Sequence, residues 1–172
     1  MAQNRAQIKG RWKFNAPEGK CVFISHKKED ERAAKAIGDY LMEKVGVDIY
    51  LDLYDVELKE AVSVDNDRKI VESIKMGIAT SSHLLCLVSH QTRLSWWVPY
   101  EVGVAGEHKK EIATLKLKGI TDIPSFLKTE KVLNTIQEFF DYTKTLGRYG
   151  GLFSTRVLKQ DDKTTLCSYI DF

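Results

Sequence analysis

H-L-L-C-L-V-S, residues 83–89, sets five apolar residues in succession between a histidine and a serine. A strand with one wet face alternates apolar and polar side chains, so an unbroken apolar run this short marks a strand covered on both faces. Such a strand belongs inside a parallel sheet, and parallel pairing needs crossover helices on either side in sequence. Both helices are legible. Upstream, residues 68–78 carry Ile70, Ile74 and Ile78 on one helical face. Downstream, Pro99 lacks an N–H and fits only in or beside a first helical turn, so a helix starts at about Ser95 and not much earlier.

Working outward, K-C-V-F-I-S-H at 20–26 reads as a second buried strand. Asp30 and Glu31 open a helix with Ala33, Ile37, Leu41 and Val45 on one face, and Gly46 is its natural stop. V-D-I-Y-L at 47–51 is the next strand, and residues 111–117 a fourth. A last helix is capped by Asn134, with Gln137 three residues on, and turns Ile136, Phe139, Phe140, Thr143 and Leu146 inward before Gly147 closes it. Strands alternating with helices at this spacing predict the α/β class: an open parallel sheet with helices on both faces. The acidic stretch 52–67 has no period and reads as a long loop, a kind of segment that tends to be functional. Residues 148–172 show no assignable pattern.

Composition removes several classes. A chain of 172 residues, 43% hydrophobic and 29% charged, suits one domain that folds without disulfides or metal. No apolar run approaches the roughly 18 residues of a membrane span. The net charge of +2 is unevenly placed. Residues 1–20 hold five bases (Arg5, Lys9, Arg11, Lys13, Lys20) against Glu18, which leaves 21 bases against 23 acids in the body. A nucleic-acid binder would carry a basic stripe on that body, so no nucleic-acid partner is expected. The leading residues lack the apolar centre of a signal peptide. Cys21, Cys86 and Cys167 form no C-x-x-C pair, which points to reduced thiols and a cytoplasmic setting.

Open parallel sheets bind ligands beyond the carboxyl ends of their strands. Those ends bring up Ser25, His26, Lys27 and Lys28 after the first strand, Asp52 and Asp55 after the second, and Ser89, His90 and Gln91 after the third. The third strand also leads into S-W-W-V-P-Y-E at 95–101, where Trp97 and Glu101 are four apart and share a helix face. Spacing alone leaves two readings of that pair: a ligand platform, or packing aromatics beside a solvated glutamate favoured by the helix dipole. Neither G-x-G-x-x-G nor G-x-x-x-x-G-K-[ST] is present, so phosphates are not held in the Rossmann or P-loop manner. There is no G-x-S-x-G elbow. The four histidines show no metal-ligand spacing, and no metal is expected.

V-F-I-S-H at 22–26, I-Y-L-D at 49–52, L-L-C-L-V-S at 84–89 and S-W-W-V-P-Y-E at 95–101, in this order, resemble the Toll/interleukin-1 receptor (TIR) domain over residues 21–146. The resemblance implies a flavodoxin-like sheet spanning 20–147, between a basic arm at 1–19 and an extension at 148–172. It implies that the loop 52–67 mediates homo-oligomerisation. One branch of the family signals as adaptors; another cleaves the nicotinamide–ribose bond of NAD with a glutamate four residues after a tryptophan. Glu101 and Trp97 match that pair, which makes Glu101 the candidate catalytic residue and Trp97 a substrate wall. Ser25, His26, Lys27 and Asp52 are the candidates for contacting the dinucleotide, although His26-Lys27-Lys28 stand where other members carry aromatic or arginine residues.

NAD is then substrate, with no further cofactor, and the enzyme class is an NAD nucleosidase or cyclic ADP-ribose synthase. A bare TIR chain is similar to the bacterial antiphage proteins of the Thoeris type, which send an ADP-ribose-derived signal to a separate effector. The rival expectation is a non-catalytic interaction module, a scaffold or a host-directed mimic. A third is an enzyme that transfers or hydrolyses the ribosyl group of free nucleosides.

Overall fold

In the computed structural model, which describes residues 1–7, 19–51, 67–147 and 164–171, strands and helices alternate along the chain. Strand β1 (Cys21–Ser25) leads to helix α1 (Glu31–Tyr40), strand β2 (Asp48–Tyr50), helix α2 (Asp67–Ala79) and strand β3 (His83–Val88). Helix α3 (Trp97–Glu107), strand β4 (Glu111–Lys116), strand β5 (Lys131–Leu133) and helix α4 (Ile136–Leu146) follow. The strands form one parallel sheet in the order β2-β1-β3-β4-β5. The apolar run 83–88 takes the central place, and every residue of it is buried.

Alternation along the strands divides the apolar residues between two cores. Val22, Ile24, Leu85 and Leu87 point to the face covered by α1 and α4, where Ile37, Leu41 and Phe139 pack. Cys21, Phe23, Leu84, Cys86 and Val88 point to the face covered by α2 and α3, where Ile74, Ile78, Val98 and Val102 pack. The helical faces read from the sequence are the buried ones: Ala33, Ile37 and Leu41 in α1 and the turn after it, Ile70, Ile74 and Ile78 in α2, and all five inward positions of α4.

Helix α2 reaches β1 and β2 at a glycine. A Cβ on Gly77 would stand 2.5 Å from Tyr50 Cε1 and 2.9 Å from Phe23 Cε2, whose rings stack with centroids 5.4 Å apart. Gly77→Ala is therefore expected to cost about 1–3 kcal/mol through overpacking, read as a lower urea midpoint. An unchanged midpoint would mean that α2 rides over the two rings without strain.

Three boundaries depart from the sequence reading. The helix from Glu31 widens into a π-type turn at Leu41–Val45 before Gly46 ends it at φ 74°. The last helix is capped one residue later than expected: Thr135, not Asn134, accepts from the Glu138 N–H, and the Glu138 side chain reaches back in a complete capping box. Asn134 instead donates its own N–H to the same carboxylate. Strand β5 was not anticipated, because three residues, K-V-L, are too few to show a period.

The first described residues join the sheet, and the last ones bond to the turn after β4 and to the start of α4. Asn4 forms a parallel bridge with Ile49 on the outer edge of β2, and the Ile49 N–H donates to the Gln3 carbonyl at 3.1 Å. At the other end, the Lys118 and Ile136 N–H groups donate to the Tyr169 and Asp171 carbonyls, both at 2.7 Å. Leu166 and Ile170, four apart in a helical turn, sink into the core beside α1 and α4.

Candidate active site

Helix α3 turns Val98, Glu101, Val102 and Ala105 toward the sheet, the 3–4–7 spacing of a packed helical stripe. Three of these are apolar and join the second core. The fourth is a carboxylate, and only 9% of Glu101 is exposed. Burying a carboxylate costs several kcal/mol unless it is hydrogen-bonded. The partner comes from the end of β1. Ser25 continues the Cys21–Phe23 alternation onto the α3 face, and its Oγ donates to Glu101 Oε2 at 2.5 Å. Glu101 lies in the second turn of α3, within reach of the positive end of that helix. A strand end, a helix start and a buried carboxylate thus meet beyond the carboxyl edge of the sheet, where open α/β folds place their chemistry.

A second polar link closes the same edge. Ser89, just past β3, donates through Oγ to Asp30 Oδ2 at 2.6 Å, and its N–H donates to Thr92 Oγ1 at 2.9 Å. The sequence places Asp30 as the opener of α1, yet its side chain does not cap that helix. It ties the loop after β1 to the loop after β3. An aspartate before a helix gives the same sequence signal for either role, so spacing could not have separated them.

The other candidates are placed as follows. His26 is half-buried, with Nδ1 3.3 Å from the Ile24 carbonyl oxygen. Burial pulls its pKa below the ordinary histidine value, against the opposing pull of that carbonyl, Asp30 and Glu31. Lys27 Nζ lies 3.4 Å from Glu29 Oε1 within its own loop. Trp97 opens α3 one turn before Glu101, is 39% exposed, and meets Tyr100 edge-on with ring centroids 6.2 Å apart. Trp96, next to it, stands almost wholly in solvent at 91% exposure. Asp52 and the loop 52–66 lie outside the described residues. The fold thus brings Ser25 and Glu101 into direct contact, places Trp97 a turn away, and sets His26 against the Ile24 carbonyl of β1 and Lys27 beside Glu29 in the loop that follows.

Two surface concavities lie elsewhere. One runs between α1 and residues 165–169; the other lies between Lys75 of α2 and Tyr100, Gly103 and Glu107 of α3. Among the described residues no helix is long and apolar enough to cross a membrane.

Comparison with known proteins agrees with this architecture. No curated protein matches the chain. Among solved structures, the TIR domain of the Toll-related receptor TRR-2 from Hydra magnipapillata superposes with a TM-score of 0.50 at 16% identity, over 64% of this chain and 82% of that one. At that identity the likeness concerns the fold. The sequence profile of the TIR domain matches residues 22–148, a span that runs from β1 to just past α4 and contains Ser25, Trp97 and Glu101. The chain belongs to the TIR domain family.

Proposed function

We propose that the chain cleaves the nicotinamide–ribose bond of NAD, with Glu101 as the catalytic carboxylate. The observation that carries this reading is the buried Glu101 held by Ser25 at the carboxyl edge of the sheet. A carboxylate kept in a core position at the expense of stability is what functional sites retain. Nicotinamide in NAD is already a cationic leaving group and needs no general acid. When the ribosyl C1′–N1 bond breaks, its electron pair neutralises the pyridinium ring, and positive charge develops on the ribosyl carbon, as in glycoside cleavage. A fixed anion close to that carbon stabilises the charge and can accept a hydrogen bond from a ribose hydroxyl. Water then attacks C1′ and loses one proton, giving ADP-ribose, nicotinamide and H⁺. Attack by a nucleophile of the ADP-ribose itself gives a cyclic isomer instead. Trp97 would form an apolar wall on the nicotinamide side.

The same reading takes the acidic stretch 52–67 and the lysines after β1 as opposite faces of a head-to-tail contact, which propagates or closes into rings. A diffusible product would act on a separate effector, in the manner of antiphage signalling. The test is the purified chain incubated with NAD, over a concentration range that spans assembled and unassembled states by light scattering. Nicotinamide release is followed by chromatography, and the ribosyl product is compared with linear and cyclic standards by mass spectrometry. NAD left intact in every state would overturn the proposal.

A second reading, a non-catalytic interaction module, draws on a different observation: Leu94 and Trp96 stand in solvent at 69% and 91% exposure beside the start of α3. It predicts that Glu101→Gln preserves partner binding while Trp96→Ala loses it, measured by calorimetry with a second copy of the chain.

A further inference from the structure

Two side-chain hydrogen bonds close a ring at the carboxyl edge of the sheet. The ladder between β1 and β3 ends at Ser25 and Cys86, while β3 runs on to Val88 beside β4. Past Ser25 the chain crosses residues 26–29 and reaches Asp30, whose carboxylate accepts from Ser89 Oγ at 2.6 Å. At the near end of that loop, Ser25 donates to Glu101 at 2.5 Å. Ser89 and Glu101 lie in turn at the two ends of the segment that leads from β3 into α3. One arc of the ring therefore carries His26 and Lys27, and the other carries Trp96 and Trp97.

The arc that follows β3 is held by a mesh of its own. The Ser89 N–H donates to Thr92 Oγ1 at 2.9 Å, and that hydroxyl donates to the Leu87 carbonyl at 3.3 Å. The Thr92, Leu94 and Ser95 N–H groups bond back to the Ser89, Gln91 and Thr92 carbonyls. Ser89 Oγ also accepts the Gln91 N–H at 3.1 Å, which leaves the hydroxyl hydrogen for Asp30. The donor is thus fixed in place and in direction. The arc that follows β1 is knit more lightly, by the Asp30 N–H on the Lys27 carbonyl at 2.8 Å and by the exposed partner Glu29 beside Lys27. Asp30 joins the lighter arc to the firmer one through a short, charge-assisted bond.

We propose that Asp30 is a positioning residue: its bond to Ser89 preorganises the loop after β1 for the dinucleotide. The inference rests on the reading of Glu101 as the group that acts on NAD, and it divides two tasks around one ring. The bond at Ser25 holds the carboxylate and serves the chemistry. The bond at Asp30 holds the far end of the loop and serves binding. A loop that is free in the empty site must be ordered by the substrate, and that cost is subtracted from affinity. A loop already tied to Ser89 imposes little of it.

Ser89→Ala removes the donor and leaves Asp30 in place. It is expected to raise KM for NAD about five- to tenfold with kcat within about twofold, the pattern of lost binding and not of lost transition-state stabilisation. Asp30→Ala, which spares the Gln91 bond, is expected to match it. The double variant is expected to be no weaker than either, since both changes remove one bond. Ser89→Thr keeps a hydroxyl and Asp30→Asn keeps an acceptor, so both are expected to stay within about twofold of the wild-type KM. Lys35→Ala breaks an exposed pair with Asp39 on the same helix and is expected to leave KM unaltered. An unchanged KM in Ser89→Ala, the same rise in Ser89→Thr or Lys35→Ala, or additive losses in the double variant would overturn the proposal.

Hydrogen exchange followed by mass spectrometry gives a readout that needs no turnover. In Ser89→Ala the amides of residues 26–31 are expected to exchange about tenfold faster while those of β3 keep their protection, which sets loosening of the loop apart from loss of the fold. Exchange in that loop indifferent to Ser89→Ala refutes the role of Asp30 whether or not NAD is cleaved. Faster exchange in a protein leaving NAD intact upholds the tie and refutes the NAD reading alone.

Discussion

Glu101→Gln is expected to cut NAD turnover about a hundred- to a thousandfold, the range seen when a fixed electrostatic group is removed from a transition state. Glutamine has nearly the same shape and its carbonyl oxygen can accept from Ser25 Oγ, so packing against Val98, Val102 and Ala105 is kept. What disappears is the negative charge. Substrate binding draws on the rest of the dinucleotide, so KM is expected to change far less than kcat. Stability is expected to hold or rise, because a carboxylate only 9% exposed carries a desolvation cost that an amide does not. Single-turnover nicotinamide release and a thermal melt on the same sample check both halves. Loss of turnover with a retained or higher Tm is the signature of a catalytic charge. A Glu101→Gln enzyme within about tenfold of wild type would remove Glu101 from the chemistry.

That opposition between stability and activity also explains how much of the site could be read in advance. The wall-to-wall apolar run at 84–88 announces a central strand because burial on both faces leaves no polar position. The helices are legible through Ile70, Ile74 and Ile78 or Phe139, Phe140 and Leu146, because one face must be apolar. Glu101 breaks the stripe Val98-Glu101-Val102-Ala105. Periodicity alone would have turned it outward as a solvated residue, and only the match to Trp-x-x-x-Glu singled it out. Ser25 is legible by its position, and its bond to Glu101 is not. It ends a strand and so reads as a ligand contact, and the register and the α3 packing, which no local pattern reveals, also set its hydroxyl on Glu101.

Other features were illegible for physical reasons. Asp30 meets Ser89 across 59 residues of chain, a separation to which no local pattern responds. Strand β5 is three residues long and owes its place to pairing with Ala113, Thr114 and Leu115, not to a pattern of its own. Leu166 and Ile170 carry a single i, i+4 step, too short a signal against a mixed background, yet they complete the core beside α1. The arm posed the opposite difficulty. Its bases, counted together, read as a basic arm outside the fold, and a charge count cannot show that one of them, paired with Asp48, is a buried structural residue.

That residue is Arg5, and Arg5→Ala is expected to cost about 3–5 kcal/mol, the penalty for leaving one member of a buried ion pair behind. The side chains of Arg5 and Asp48 are 1% and 5% exposed, with Nη2 2.9 Å from Asp48 Oδ2. The same guanidinium donates through Nε to Asp48 Oδ2 at 3.0 Å and through Nη1 to the Thr80 carbonyl at 2.7 Å. Alanine would strand a carboxylate and a carbonyl together, with the Gln3 N–H on Asp48 Oδ1 as remaining support. It would also loosen the cover on an edge strand. Asn4 exchanges hydrogen bonds with both backbone groups of Leu51, so residues 3–5 occupy the edge that β2 would otherwise offer to another chain. Lysine cannot replace the arginine, because one ammonium does not reproduce a fork that spans Asp48 and Thr80. For a chain of this length the expected loss lowers Tm by roughly 10 °C, and exposure of the β2 edge is expected to appear as concentration-dependent aggregation. The double change Arg5→Met with Asp48→Leu separates the two contributions. It removes both charges, so most of the stability should return if the cost lies in the stranded carboxylate, while Asn4 keeps the edge covered. An Arg5→Ala protein less than about 1 kcal/mol weaker than wild type in urea would show that the pair contributes nothing beyond an exposed one.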